Sequence, residues 1–384
     1  MKKIMLVFGT RPEAIKMCPL VNELKRRENF ETVVCVTGQH REMLDQVHRQ
    51  MLDQVLETFE VIPDYDLSIM KDKQTLFDIT TNILNKIKSV LEKEQPDVVL
   101  VHGDTSTTFV TALACYYFQI PVGHVEAGLR TYNIYSPYPE EFNRQAVSII
   151  SQYNFAPTEK SKENLIKEGR DASRIWVTGN TVIDALKTTV REDYSHPELE
   201  WAKGSRLIFI TAHRRENLGQ PMHNMFRAIR RVMDEHADVK ALYPIHMNPV
   251  VRQAAKEELG DLDRIHIIDP VEVFDCHNIM AQSYMILTDS GGIQEEAPSL
   301  GKPVLVMRDT TERPEGISAG TLKLVGTEEE NIYNNFKELL ENKEVYDAMA
   351  KANNPYGDGH ACERIVNVLE ERLNNECEQS KSNS

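Results

Sequence analysis

The sequence predicts an α/β protein of two doubly wound units, and three observations carry that prediction. Short β-rich runs ending in Gly, Asp, Thr or His alternate with amphipathic helical stretches, the pattern of a parallel sheet covered on both faces. The alternation occurs twice, on either side of a polar stretch from Arg191 to Ser205 where Pro, Gly and charge replace apolar periodicity. The chain has 384 residues, more than twice the usual single-domain size, so each unit can bury its own core.

Taken in order, the first half supplies strands at Ile4 to Phe8, Thr32 to Thr37, Asp97 to His102 and Val122 to Val125, and a weaker one near Phe155. The second half supplies Ile175 to Thr178, Leu207 to Thr211, Ala241 to Ile245, Ile265 to Ile268, Met285 to Thr288 and Val304 to Met307. The expected division is a Rossmann-like domain over 1–172 and a nucleotide-binding one over 173–360. A helix over 361–375, opened by the turn-forming NPYGDG, joins the first domain, and 376–384 is expected to be a disordered tail. HREMLDQV at His40 to Val47 is followed at once by HRQMLDQV at His48 to Val55, a tandem duplication too short for a solenoid and long enough to extend one helix by about two turns.

Composition narrows the function classes. Hydrophobic residues are 41% and charged residues 27%, ordinary globular values, and no apolar run reaches the ~20 residues that span a bilayer. The opening MKKIMLVFG holds too few apolar residues for a signal-peptide core and reads as the first buried strand of a cytoplasmic protein. A net charge of −15, spread along the chain, argues against nucleic acid as a partner but leaves room for a local anion site. The six cysteines show neither CxxC pairing nor ligand spacing, so no metal site is expected.

The chemistry concentrates at strand ends. Gly9-Thr10-Arg11-Pro12-Glu13 combines Pro at a first helical position with a Thr/Glu capping box; Arg11 and Lys16 bracket that helix start, as a plain solvated end or as an oxyanion site. It lacks the glycines of the dinucleotide fingerprint, which removes the main support for NAD. Asp289-Ser290-Gly291-Gly292 leads into a second helix, where two glycines admit a close ligand and Ser290 can help cradle a diphosphate, or where the turn simply needs glycine. Glu296, one turn inside, could accept from ribose hydroxyls or serve as a capping charge. Asp104, Glu126, and Glu140 with Glu141 in a Pro-bounded loop are acid–base candidates, although a single carboxylate at such a place is more often a cap or salt-bridge partner. His213 and His246 end two further strands, and Arg308 to Glu315 is dense in charge.

Together these residues resemble one family, the non-hydrolysing UDP-N-acetylglucosamine 2-epimerases. The resemblance runs through FGTRPEAIK, VHGDT, HVEAGLRT, YSPYPEE, TAHRREN, YPIHMNP, LTDSGGIQEEAPSLGKPVL, RDTTERPEG and NPYGDG, nearly the whole chain. It implies a glycosyltransferase-B-like fold with its active site in the interdomain cleft, a homodimer, and interconversion of UDP-GlcNAc and UDP-ManNAc with no metal or NAD, feeding surface polysaccharide synthesis. The implied mechanism is anti elimination of UDP to 2-acetamidoglucal and re-addition with protonation from the opposite face. Asp104, Glu126, Glu140 and His213 match the family's catalytic positions. Arg11, Lys16, His213, Val271, Cys276, Ser290, Gly291, Gly292, Glu296 and Arg313 match substrate-binding ones, although Cys276 stands where many relatives carry phenylalanine.

Some members also bind a second UDP-GlcNAc as an activator. The matching positions are Gln39, His40, Glu42, Gln50, Lys73, Arg214 and His246, with two departures: Glu42 for glutamine and Lys73 for an arginine whose fork lysine cannot reproduce. Alternatives on the same fold are a glycosyltransferase, a hydrolysing epimerase, or a UDP-sugar sensor that has lost turnover.

Overall fold

The computed structural model describes residues 1–38, 46–70, 74–311 and 313–382, with the backbone alone for 46–51 and 376–382. The chain divides into two compact units, Met1–Lys187 with Tyr356–Ser384, and Thr188–Pro355.

In the first unit β1 (Lys2–Phe8), α1 (Arg11–Lys25), β2 (Phe30–Val36), α2 (Gln46–Thr58), β3 (Tyr65–Asp66), α3 (Leu76–Glu94), β4 (Val98–His102), α4 (Ser106–Phe118), β5 (Val122–Val125), α5 (Glu140–Ile150), β6 (Tyr153–Ala156), α6 (Glu159–Lys167) and β7 (Ile175–Val177) alternate along the chain. The strands pair in parallel in the order β3-β2-β1-β4-β5-β6-β7, with Leu6 opposite both Val34 and Leu100. β1, β4 and β5 are apolar on both faces because helices cover both sides, and Ile4, Leu6, Val99 and Val101 have no exposed surface.

β7 corrects the expected boundary at 172. Ile175 to Val177 was expected to begin the second half, yet Phe155 pairs with Trp176, so this strand closes the first sheet and the unit continues into α7 (Thr181–Thr189). The last helix, α16 (Ala361–Ser382), packs against α1 and outruns its expected end at 375 into the segment expected to be disordered. Asp184 of α7 accepts the amides of Ala361 and Cys362 at 3.1 and 2.9 Å, satisfying two donors that a helix start leaves open. α2 carries the second duplicate, with Leu52, Val55 and Leu56 buried; residues 40–45 of the first lie outside the described residues.

The second unit runs α8 (Pro197–Ala202), β8 (Arg206–Thr211), α9 (Gln220–Glu235), β9 (Val239–Pro244), α10 (Pro249–Leu259), β10 (Ile265–Ile268), α11 (Val273–Gln282), β11 (Met285–Thr288), α12 (Ile293–Ser299), β12 (Val304–Val306), α13 (Pro314–Ala319), β13 (Leu322–Leu324), α14 (Glu329–Glu341) and α15 (Lys343–Ala350). Its strands are also parallel, in the order β10-β9-β8-β11-β12-β13. One core, including Met222, Phe226, Ile229, Tyr243 and Phe336, lies under α9, α10 and α14; another, with Phe209, Leu242, Ile279 and Val304, lies on the opposite sheet face. No helix among the described residues is long and apolar enough to cross a membrane.

Candidate active site

In the first unit the candidate residues stand at the C-terminal edges of β1, β4 and β5. The turn after β1 closes as a capping box: Thr10 Oγ1 accepts from the Glu13 amide at 3.4 Å, and Glu13 Oε2 accepts from the amides of Gly9 and Thr10 at 3.0 and 2.8 Å. The other Glu13 oxygen accepts from the hydroxyls of Thr105 and Thr108 at 2.7 and 3.2 Å, so one buried carboxylate ties the turn after β1 to the turn after β4. Arg11 begins α1 and Lys16 follows on the same helix.

Asp104 follows β4 through Gly103, and its Oδ2 lies 3.2 Å from Arg144 Nη2 of α5. Burial pushes this carboxyl up to about 6; Arg144 opposes the shift, and the charges of Glu126 and Glu140 add to it. Glu140 opens α5 instead of lying in a loop, and so does Glu141. Glu141 is fully buried and accepts from the amides of Thr131 and Tyr132 at 3.0 and 2.9 Å, a tether for the segment after β5.

Glu126, at φ +64°, is one of the few non-glycine residues held in the left-handed region. Its carboxylate accepts from Lys16 Nζ and from Asn180 Nδ2 at 3.0 Å, and lies 3.5 Å from His102 Nε2. Burial disfavours its charge, yet Lys16 and His102 outweigh burial and hold it well below the usual carboxylate range. Gly128 completes the turn at φ +93°, where a Cβ would stand 2.2 Å from the Ser161 carbonyl oxygen. Beneath, burial lowers His124 to about 4, so the neutral ring meets the Gly103 carbonyl at 2.7 Å and supports the turn that carries Asp104.

In the second unit the corresponding edges belong to β8, β9 and β11. His213 and His246 stack face to face, their ring centroids 5.4 Å apart and 10° from parallel. Burial lowers the pKa of His213; Asp289 opposes this, while His246 and Arg214 reinforce it. Asp289, fully buried, accepts the amides of His213 and Arg214 at 2.9 and 2.8 Å and thereby shapes the turn after β8. Arg214 Nε also donates to the Asp289 carbonyl at 3.3 Å.

Past Ser290, the guanidinium of Arg313 covers Gly291 so closely that a Cβ there would lie 2.8 Å from Nη1. Arg313 Nε donates to the buried Glu295 at 2.6 Å, and Gln294 links Ser290 to Thr311 by bonds of 3.1 and 2.6 Å. A cation is therefore held against a side-chain-free backbone, an arrangement suited to a diphosphate. Glu296, beside Gly292, lies 3.4 Å from the buried His277 Nε2. Val271 and Cys276 pack on the core under β8 and β11, and Phe274 is engaged with Tyr194 and Arg191 at 5.5 and 5.2 Å between centres. Among the described residues no group of His, Cys, Asp and Glu is placed to hold a metal ion.

A model of the UDP-N-acetylglucosamine 2-epimerase family matches residues 22–370. The chain belongs to that family. A Bacillus subtilis UDP-N-acetylglucosamine 2-epimerase is 60% identical over 367 residues, covering 96% of this chain and 94% of the relative. The crystal structure of a Listeria monocytogenes protein described as a putative UDP-N-acetylglucosamine 2-epimerase superposes with a TM-score of 0.92 at 53% identity, covering 98% of both chains. The Neisseria meningitidis UDP-GlcNAc 2-epimerase, solved bound to UDP-GlcNAc, gives 0.85 at 49% identity, covering 96% of this chain and 100% of that one. The two parallel sheets are thus those of the glycosyltransferase-B-like epimerases.

Within this epimerase family member the structure gathers Asp104, Glu126, Glu140 and Lys16 in one unit and His213, His246, Arg214, Ser290, Gly291, Gly292, Glu296 and Arg313 in the other. Gln39, His40, Glu42 and Lys73 lie outside the described residues, and Gln50 is placed on α2 by its backbone alone. Sequence reasoning missed His102, Asn180, Arg144 and Asp289, which set the charge or posture of the chosen groups from distant positions in the chain. The only sequence cue to Asp289 is its place between β11 and the glycines.

Proposed function

We propose that the chain interconverts UDP-GlcNAc and UDP-ManNAc by elimination of UDP and re-addition through 2-acetamidoglucal, without releasing free sugar. The observation that carries this reading is the pair of strand-end carboxylates, Asp104 raised to about 6 and Glu126 pushed the other way. Inversion at C2 needs one group that takes a proton and another that gives one from the opposite face. Two carboxyls whose environments drive them apart differ in how readily each holds a proton near neutral pH. At neutral pH Glu126 is ionised, and Asp104, ionising near 6, keeps a minor protonated fraction; that fraction gives a proton where Glu126 takes one, and the roles exchange in the reverse direction.

Lys16 links proton transfer to nucleotide binding. As the ion-pair partner of Glu126 it restrains that carboxylate; drawn toward the substrate diphosphate, it releases Glu126 to rise toward a more basic range. Arg313 against Gly291, together with His213, stabilises the charge that builds on departing UDP. The names of the relatives and the ligand in the Neisseria structure support this substrate, and a cytoplasmic homodimer supplying ManNAc for surface polysaccharide completes the reading.

Proton NMR of UDP-GlcNAc incubated with the protein in D2O tests it. UDP-ManNAc carrying deuterium at C2 is the expected product. Free ManNAc plus UDP would make the protein a hydrolase, and UDP binding without exchange would make it a sensor.

A further inference from the structure

A carboxylate removed from water needs donors for both oxygens, and Asp289 is 0% exposed. Its Oδ2 has three, the amides of His213 and Arg214 at 2.9 and 2.8 Å and Asn217 Nδ2 at 3.2 Å. Its Oδ1 has no hydrogen-bond partner among the described residues and stands 3.7 Å from His213 Nδ1. The three donors on Oδ2 pin the aspartate, so the imidazole is the partner free to turn. A small rotation of that ring, 41% exposed on its side chain, closes the gap to the ~2.8 Å of a charge-assisted bond.

We propose that Asp289 is a positioning residue for His213: it holds Nδ1–H toward Oδ1 and leaves Nε2 as the nitrogen presented to the substrate diphosphate. The proposal rests on the reading that His213 serves that diphosphate. In the neutral ring Nδ1 keeps the proton and Nε2 a lone pair; in the imidazolium both nitrogens donate, one to Asp289 and one to an anionic oxygen. The charges around the ring make this pairing matter. His246, parallel at 5.4 Å, and Arg214 both oppose a positive His213. Asp289 and Glu216 favour it, and Glu216 is shared with Arg308 at 3.3 Å. Among the described residues Asp289 forms no ion pair with another cation at this turn, so it is the compensating charge that acts at a fixed atom of the ring.

Asp289→Asn tests the assignment, because asparagine keeps the size and an oxygen for the two amides while turning an NH2 toward Nδ1. The expected result is a kcat lower by about 100-fold, with KM for UDP-GlcNAc within about threefold of wild type. The alkaline limb of the kcat profile should also move to lower pH, since the imidazolium loses its partner. An unchanged kcat with an unmoved limb overturns the proposal. Nitrogen-15 NMR of the unaltered protein provides a check that needs no variant: the neutral His213 ring should carry its proton on Nδ1, and a proton on Nε2 overturns the pairing. His213→Asn separates the two levels of argument. If that variant epimerises normally, the role given to His213 fails; if it is inactive while Asp289→Asn behaves as wild type, the pairing alone fails.

Discussion

At the scale of single residues, the two central carboxylates make opposite demands on the fold. Asp104 ionises near 6 in the protein against 3.8 for the unstrained group, so its native state is favoured when protonated. That contribution is complete below about pH 3.8 and is lost as pH rises through 6, leaving an ionised, poorly solvated group at neutral pH. Replacing it by asparagine removes this cost while sacrificing only the 3.2 Å contact with Arg144. Glu126 is the reverse case: its carboxyl lies below its ordinary value, so its ion pairs stabilise the fold above that value and fade as pH falls through the depressed one. Asp104→Asn should therefore be more stable than wild type at pH 7.5, by on the order of 1 kcal/mol, with the gap narrowing toward pH 5. Glu126→Gln, leaving Lys16 and Asn180 with a weaker partner, should be less stable at pH 7.5 by about 1–3 kcal/mol. Both should lose at least about 100-fold in kcat while still binding UDP. Thermal melts at the two pH values with parallel turnover assays decide this, and equal stability changes of one sign would refute the charge assignment.

At the scale of elements, what the sequence made legible follows from how far each determinant reaches along the chain. β4, β5, β8 and β11 were readable because continuous apolar runs meet glycine or acid at one end, which is local information. β3 and β13 were not, because β3 has only two residues and Lys323, exposed, breaks the apolar run of β13. β7 was readable as a strand but assigned to the wrong sheet, since only its pairing with β6 decides that. The buried carboxylates Glu13, Glu141 and Asp289 show the same limit: each bonds to amides or hydroxyls of a neighbouring turn, which the linear order does not reveal. The duplication is the element most open to test. Deleting residues 40–47 leaves TGQHRQMLDQVL, retaining Leu52, Val55 and Leu56, the buried face of α2. We expect that deletion to fold with a melting temperature within a few degrees of wild type, because the packed face of α2 is kept. Combined with Lys73→Arg, which supplies a bidentate fork, it should give a sigmoidal dependence of rate on UDP-GlcNAc where the parent should give a hyperbolic one. Identical hyperbolic curves would remove the duplicated segment and Lys73 from any activating site.

At the scale of the whole molecule, a net charge of −15 sets copies of the chain against one another, so self-association must come from apolar surface. The first unit offers such surface on the solvent side of packed neighbours α4 and α5, where Tyr116, Tyr117 and Ile149 are 60%, 65% and 64% exposed. Large aromatic and branched side chains exposed near the C-terminal ends of two packed helices have the composition of an interface core, and a two-fold axis at this face would bury them on both copies. We therefore expect sedimentation to show a dimer at micromolar concentration, with a dissociation constant that falls as salt rises from low to physiological strength, because screening weakens the repulsion and leaves apolar burial almost untouched. Tyr117→Glu should dissociate it by placing a desolvated charge in the patch while leaving α4 folded, since the side chain faces water in the single copy. A monomeric parent, or a dimer indifferent to that substitution, would show that association uses another face, and a dimer weakened by salt would show that ion pairs rather than this aromatic patch hold it.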